Sequence, residues 1–336
     1  MIKWLAHKVI DWKDIQNILS PCEKSNQFTN IGPVIPECEN YIRQKFQIRD
    51  DKAVILTSNG TTAIHAIVGA LQTRKFYTQA FTFPSSVQGP LIHSTIADID
   101  LEGGLNLDQI QLSSHNGIIV TNIHGNVTNI SKYEDYCREH KQFLLFDNAA
   151  TGMTFYKGQN SCNYGNASTV SFHHTKPFGF GEGGCIIIDR EYEKAVRLML
   201  NFGIDNTLGD RAMYSPHGSN YRMCDINAAF ILSYLRNNMD RIIQRHKEIY
   251  ELVETNLPEH FELFPNFSDG TPVCSSICLL HKKGPYSLEK LTFCVRKYYK
   301  PLAPLPVSMD FYSRIVCLPC NVDLTDEDVL FMLSAL

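Results

Sequence analysis

Through its first two-thirds the chain alternates short apolar runs with stretches of helical period, a pattern that predicts an α/β layer structure. Residues 53–57 (Ala-Val-Ile-Leu-Thr) are apolar without alternation and predict a buried strand. Residues 59–62 (Asn-Gly-Thr-Thr) follow as a turn and 63–71 as a helix. Further strands are predicted at 94–98, 117–121, 143–147 and 185–189, and a helix at 131–140. From Asp225 onward Ile226, Ala229, Phe230, Leu232, Leu235, Met239 and Ile242 form a stripe at helical spacing. That helix continues to about Leu257, where Pro258 stops it, and leads toward a smaller C-terminal domain. The chain closes on Thr325-Asp-Glu-Asp, a capping-box-like start, and an apolar helix over 329–336.

The 336 residues suffice for one large domain or two unequal ones. With 44% hydrophobic and 20% charged residues the composition is that of a globular protein. A net charge of -4 with no basic run argues against nucleic-acid binding. An anionic ligand would have to be met by locally placed cations or helix N-termini. No stretch has the length and apolarity of a membrane span, and the charged N-terminus does not resemble a signal peptide. The eleven cysteines are expected to be reduced in a cytoplasmic protein. Cys317 and Cys320, with Cys274 and Cys278 upstream, could in principle hold zinc. The apolar flank 315–318 reads instead as a strand, and no metal is expected.

Four features could carry chemistry. Gly60, Thr61 and Thr62 sit between a strand and a helix, where free N–H groups and hydroxyls suit a phosphate; an ordinary capped helix start would look the same. Asp147 ends an apolar strand, at the edge where α/β sheets border ligands; it can pair with a cation such as a protonated pyridine nitrogen, or simply cap a turn. Lys176 lies among His173, His174, Thr175 and Pro177, ahead of the glycine-rich run 179–184 and the next strand. It is either a surface lysine in a turn or, if desolvated, a nucleophile toward carbonyls. The glycines themselves permit close approach of a ligand or a second subunit.

In order along the chain, these and further segments resemble the DegT/DnrJ family of sugar aminotransferases. Residues 29–33 (Thr-Asn-Ile-Gly-Pro) look like its entry segment, and 59–64 (Asn-Gly-Thr-Thr-Ala-Ile) like its phosphate turn. Residues 81–84 (Phe-Thr-Phe-Pro) match a segment whose aromatic, here Phe83, stacks on the cofactor ring. Asp147-Asn-Ala falls on the motif whose aspartate contacts the pyridine nitrogen. Residues 171–176 match one in which Ser171 binds phosphate and Lys176 forms a Schiff base with pyridoxal 5'-phosphate. Residues 218–223 (Gly-Ser-Asn-Tyr-Arg-Met) place Asn220 on the cofactor phosphate of a neighbouring subunit, which implies a homodimer with shared sites. Residues 299–301 and 318–319 are similar to C-terminal blocks of the family.

The resemblance implies an aspartate-aminotransferase-like fold (PLP fold type I): a large domain over 1–235 with a mixed, mostly parallel sheet, and a small α+β domain over 236–336. It implies transfer of an amino group from L-glutamate to a keto-sugar nucleotide. Gly181-Glu-Gly-Gly after the lysine favours C4 of a nucleoside-diphosphate 4-keto-6-deoxyhexose. Catalytic roles fall on Lys176 and Asp147, and cofactor binding on Gly60, Thr61, Phe83, Asp147, Ser171, Lys176 and Asn220. Ala150 departs from the family's Gln or His near the cofactor's phenolic oxygen, which implies either looser cofactor binding or compensation by Asn148 or a histidine. Arg211, Arg222, Lys300 and Arg314 are candidates for the pyrophosphate. A dehydratase on the same scaffold, in which His replaces the lysine, and a non-catalytic cofactor-binding regulator are the competing readings.

Overall fold

A computed structural model of the chain describes residues 2–71, 75–111, 116–205 and 214–336. Its strands are β1 Lys52–Thr57, β2 Lys75–Gln79, β3 Thr95–Ala97, β4 Asn116–Thr121, β5 Phe143–Asp147, a short hairpin of β6 Phe155–Tyr156 and β7 Gln159–Asn160, then β8 Ala167–Ser171 and β9 Gly184–Asp189. A second set, β10 Phe261–Leu263, β11 Ser276–His281 and β12 Ile315–Pro319, follows near the C-terminus. The helices are α1 Trp12–Ser25, α2 Val34–Lys45, α3 Gly60–Ala70, α4 Ile130–His140, α5 Arg190–Leu200, α6 Asp225–Thr255, α7 Pro306–Arg314 and α8 Asp326–Ser334.

The large sheet has the order β1-β9-β8-β5-β4-β2-β3. Only β9 runs against the others, pairing antiparallel with β1 and β8. Side chains of β1 alternate between two cores. Val54 and Leu56 join α1, α2 and the first half of α6, whereas Ala53 and Ile55 join α3 and α5. Both faces are therefore covered, which is why β1 reads as an unbroken apolar run. Registry then sets the site. Thr57 and Ser171 both lie opposite Gly184, and Thr121, Asp147 and Thr169 are aligned across three parallel strands.

Two strands of the large sheet escape the apolar pattern. In β8, Ala-Ser-Thr-Val-Ser is fully buried, but Ser168 accepts from Asn148 and Thr169 donates to Asp147, so its polar side chains are satisfied internally. In β2, Lys75-Phe-Tyr-Thr-Gln carries the polar pair Thr78 and Gln79 into the interior. Helix α3 also begins earlier than its apolar stripe, at Gly60, because Asn59 and Thr62 form a reciprocal capping box.

Helix α6 spans two cores. Its first half packs on the large sheet, while Ile249, Tyr250 and Val253 pack with α8 on the antiparallel sheet β10-β11-β12. Position 235 lies within this continuous helix.

Candidate active site

The C-terminal edges of β1, β5 and β8 and the turn before β9 enclose a cavity of about 540 Å³, within the range of small-molecule sites. Gly60, Thr61, Phe83, Asp147, Ser171 and Lys176 all line it. Six of the seven residues singled out from the sequence are thus brought together.

At one end lies the start of α3. The first N–H groups of a helix have no intrahelical acceptor. Asn59 takes that of Thr62 at 2.9 Å, leaving those of Gly60 and Thr61 for an anion. Gly60 is pressed against the Ser171 side chain, whose Cβ would lie 3.1 Å from any Cβ added there. On the strand side Gly184 is closer still: a Cβ there would meet the Asn59 carbonyl at 2.3 Å.

At the floor, Asp147 is only 2% exposed. Its Oδ1 accepts from the Ala149 N–H at 3.0 Å and from Thr169 Oγ1 at 3.4 Å; neither contact uses Oδ2. Burial pushes its pKa up, against the pull of the Ala149 N–H and the Lys176 charge. Lys176 responds in the opposite sense: burial lowers its pKa, and Asp147 partly offsets this. An amine so lowered reaches its neutral, nucleophilic form more readily. Pyridoxal 5'-phosphate presents a phosphate, a basic ring nitrogen and an aldehyde. The helix start, the spare carboxylate oxygen and the amine fit these three groups.

Tyr299, from the segment before α7, also lines the cavity, with its ring centroid 6.3 Å from that of exposed Phe83. His124 lies behind it, stacked on the Tyr299 ring at 5.0 Å and 15°. Burial first, and then the Lys176 charge, lower the His124 pKa to about 3, so this ring is neutral at physiological pH. His173 and Glu182 line the mouth and approach to 3.4 Å. No periodicity marks Tyr299 or Glu182 in the sequence; the adjoining Lys-Pro and Gly-Gly pairs are their only local signals.

Other sequence candidates lie elsewhere. Asn220 is exposed, with Oδ1 accepting from Arg222 Nε at 3.0 Å, and does not line the cavity. Asn148 is buried beneath the sheet edge, donating to Ser168 and accepting from Asn122, so its side chain is engaged away from the cavity beside Ala150. Arg222 donates to the amide oxygens of Asn30 and Asn201 and does not line the cavity. Arg314 faces Asp310 and Glu262, Lys300 is exposed, and Arg211 lies outside the described residues. The cysteine set is split as well. Cys278 and Cys317 face each other across β11 and β12 with sulfurs 3.7 Å apart, and His124 joins them in a buried cluster within 4.8 Å. Cys320 instead contacts His246, and Cys274 contacts Asn126.

Residues 10–281 match the DegT/DnrJ/EryC1/StrS aminotransferase family. Among curated relatives, the GDP-perosamine synthase of Vibrio cholerae is 26% identical over 71% of this chain and 66% of its own length. The dTDP-4-amino-4,6-dideoxy-D-glucose transaminase of Shigella dysenteriae is 23% identical over 93% of this chain and 92% of its own. Among solved structures, Helicobacter pylori PseC, an aminotransferase of pseudoaminic acid biosynthesis, superposes with a TM-score of 0.83 at 20% identity. It covers 99% of this chain and 98% of its own, a likeness of fold. The architecture is accordingly that of fold type I.

Proposed function

The chain belongs to the DegT/DnrJ/EryC1/StrS aminotransferase family, and on that premise we propose that it moves the amino group of L-glutamate to C4 of a nucleoside-diphosphate 4-keto-6-deoxyhexose, using pyridoxal 5'-phosphate. The family is one of pyridoxal-phosphate-dependent transferases, and named relatives act on sugar nucleotides. The observation that carries the reading is the convergence of the α3 start, Asp147 and Lys176 on one cavity.

Bound there, the cofactor would supply an electron-accepting ring that carries the amino group from donor to acceptor. The N–H groups of Gly60 and Thr61 and the Ser171 hydroxyl would hold its phosphate. Phe83 would cover the ring face. Asp147, through Oδ2, would keep the ring nitrogen protonated; its burial strengthens that contact. The Lys176 Nζ would hold the cofactor's carbonyl carbon at rest. The same Nζ would also take up and return a proton at the donor carbon, a task suited to an amine with lowered pKa. Asn220, exposed and away from its own cavity, suits a reach into the site of a second copy, so the working unit is a homodimer. The large unit would be residues 1–235 and the small one 236–336, both in the cytoplasm, as eleven free thiols support.

The test is incubation of the purified chain with pyridoxal phosphate, L-glutamate and a panel of keto-sugar nucleotides, read by mass spectrometry. Amino sugar formed from a 4-keto substrate, with 2-oxoglutarate released, is expected. Amination of 3-keto sugars alone would overturn the position. A cofactor-bound chain unchanged by every donor would overturn catalysis and leave a binding protein.

A further inference from the structure

Bonded to the Lys176 turn, but not lining the cavity, is a second lysine that the proposed reaction does not use. Lys8 Nζ donates to the Lys176 carbonyl at 2.8 Å and to the Gly179 carbonyl, and lies 4.8 Å from the centre of the Tyr234 ring on α6. The two carbonyls mark the ends of one tight turn, in which the Gly179 N–H also donates to the Lys176 carbonyl at 3.1 Å. Among the described residues no carboxylate pairs with Lys8. A cation desolvated without a counter-ion is costly, and burial lowers its pKa to about 7. For packing alone an apolar side chain of the same length would serve better.

The segment carrying Lys8 is itself tied down. The His7 N–H donates to Asp323 Oδ2 at 2.6 Å, and Asn321 Nδ2 donates to the Lys3 carbonyl at 3.0 Å. The N-terminal strap thus joins the loop after β12 to the turn that bears Lys176.

We propose that Lys8 is a positioning residue for Lys176: by clamping both ends of the 176–179 turn it fixes the main chain from which the reactive amine swings. The Lys176 side chain has four rotatable bonds and no rigid plane of its own. Its accuracy therefore depends on the orientation of its peptide, and a displacement of about 1 Å costs on the order of 100-fold in rate. This rests on the reading of Lys176 given above, but one arm of the test does not.

The experiment compares the full-length wild type with Lys8→Met and Lys8→Arg. In protein freed of cofactor, the rate at which an amine-directed acylating reagent labels Lys176 is followed by peptide mass spectrometry. In protein loaded with pyridoxal phosphate, the pH midpoint of its visible absorption, kcat and KM are measured. Lys8→Met is expected to change Lys176 labelling about tenfold and to shift the absorption midpoint. It should lower kcat by about tenfold or more with KM nearly unchanged, while thermal stability stays level or rises. Lys8→Arg, which keeps the charge and donors, should recover most of each change. Unaltered Lys176 labelling in Lys8→Met, or a loss of activity that merely parallels a loss of stability, would overturn the proposal. Should Lys8→Met fail to fold, Lys8→Gln takes its place: its shorter, uncharged side chain cannot hold both carbonyls, so Lys176 labelling changed about tenfold supports the clamp and wild-type labelling refutes it. A wild type that captures no pyridoxal phosphate, yet shows Lys8-dependent labelling, would sink the cofactor reading and leave the positioning role standing.

Discussion

At Asp147 burial and charge act in opposite directions, and the outcome can be measured in the protein without cofactor. Burial raises its folded pKa above the unfolded value near 3.9. The folded state then holds the proton more tightly than the unfolded state, so stability falls as pH rises between the two values. Asp147→Asn, which keeps an oxygen for the Ala149 N–H, should therefore stabilise the cofactor-free chain at neutral pH. The gain should vanish below about pH 3.9, where the carboxyl is protonated in both states; urea titrations at several pH values would check this. The same substitution should lower turnover by about 10²- to 10⁴-fold, because an amide cannot hold the proton on a ring nitrogen. Lys176→Ala should leave the unfolding midpoint close to wild type and lower turnover by roughly 10³-fold or more; turnover at the wild-type rate would refute the assignment. Both residues stood out in the sequence. The lysine drew attention from its histidine- and glycine-rich setting, and the aspartate from the apolar strand it ends.

Elements bring those residues within reach of one another, and some of the contacts have no local signature. The segment around Gly32 and the one around Asp225 are both recognisable motifs, yet only the fold explains why they occur together. The buried Asp225 carboxylate accepts from the N–H groups of Gly32 and Val34 at 3.0 Å and of Ile35 at 3.3 Å, capping α2 from the first turn of α6. A Cβ at position 32 would lie 2.7 Å from that carboxylate. Asp225→Ala would strand three buried donors and is expected to cost roughly 2–4 kcal/mol in denaturant unfolding. Gly184→Ala tests the neighbouring junction. It drives a methyl group into the Asn59 carbonyl and the Gly60 nitrogen, so pyridoxal phosphate affinity should fall by about tenfold or more, as measured by absorbance titration. Helices α3, α4, α6 and α8 and strands β1, β3, β4, β5, β9 and β12 were legible because their apolar runs or stripes are contiguous. Strands β2 and β8 were not: Gln79 accepts from the Thr121 N–H and Ser168 from Asn148, partners outside their own strands that no local pattern records. Helices α1, α2, α5 and α7 were not predicted either, and their buried side chains pack against distant elements.

In the whole molecule, the cavity of one chain holds six of the seven residues expected to bind the cofactor, all but Asn220. If sites are shared across a two-fold axis, Lys176→Ala and Asn220→Ala subunits should complement when mixed and reassorted. Each hybrid dimer would carry one intact site, so about a quarter of wild-type activity is expected. Recovery at the level of the separate variants would point to sites confined to single subunits. Taken alone, the sequence determined the α/β class and singled out Lys176 with an ordered set of candidate partners, because these rest on apolar period and on short contiguous motifs. Tertiary structure alone decided which of those residues share a cavity. It separated Cys274 and Cys320 from Cys278 and Cys317, turned Asn148 away from the site, brought Tyr299 to the cavity wall and set the Lys8 amine on the Lys176 carbonyl. Strand registry and the packing of segments more than a hundred residues apart fix these distances, and neither is encoded in any single stretch of chain.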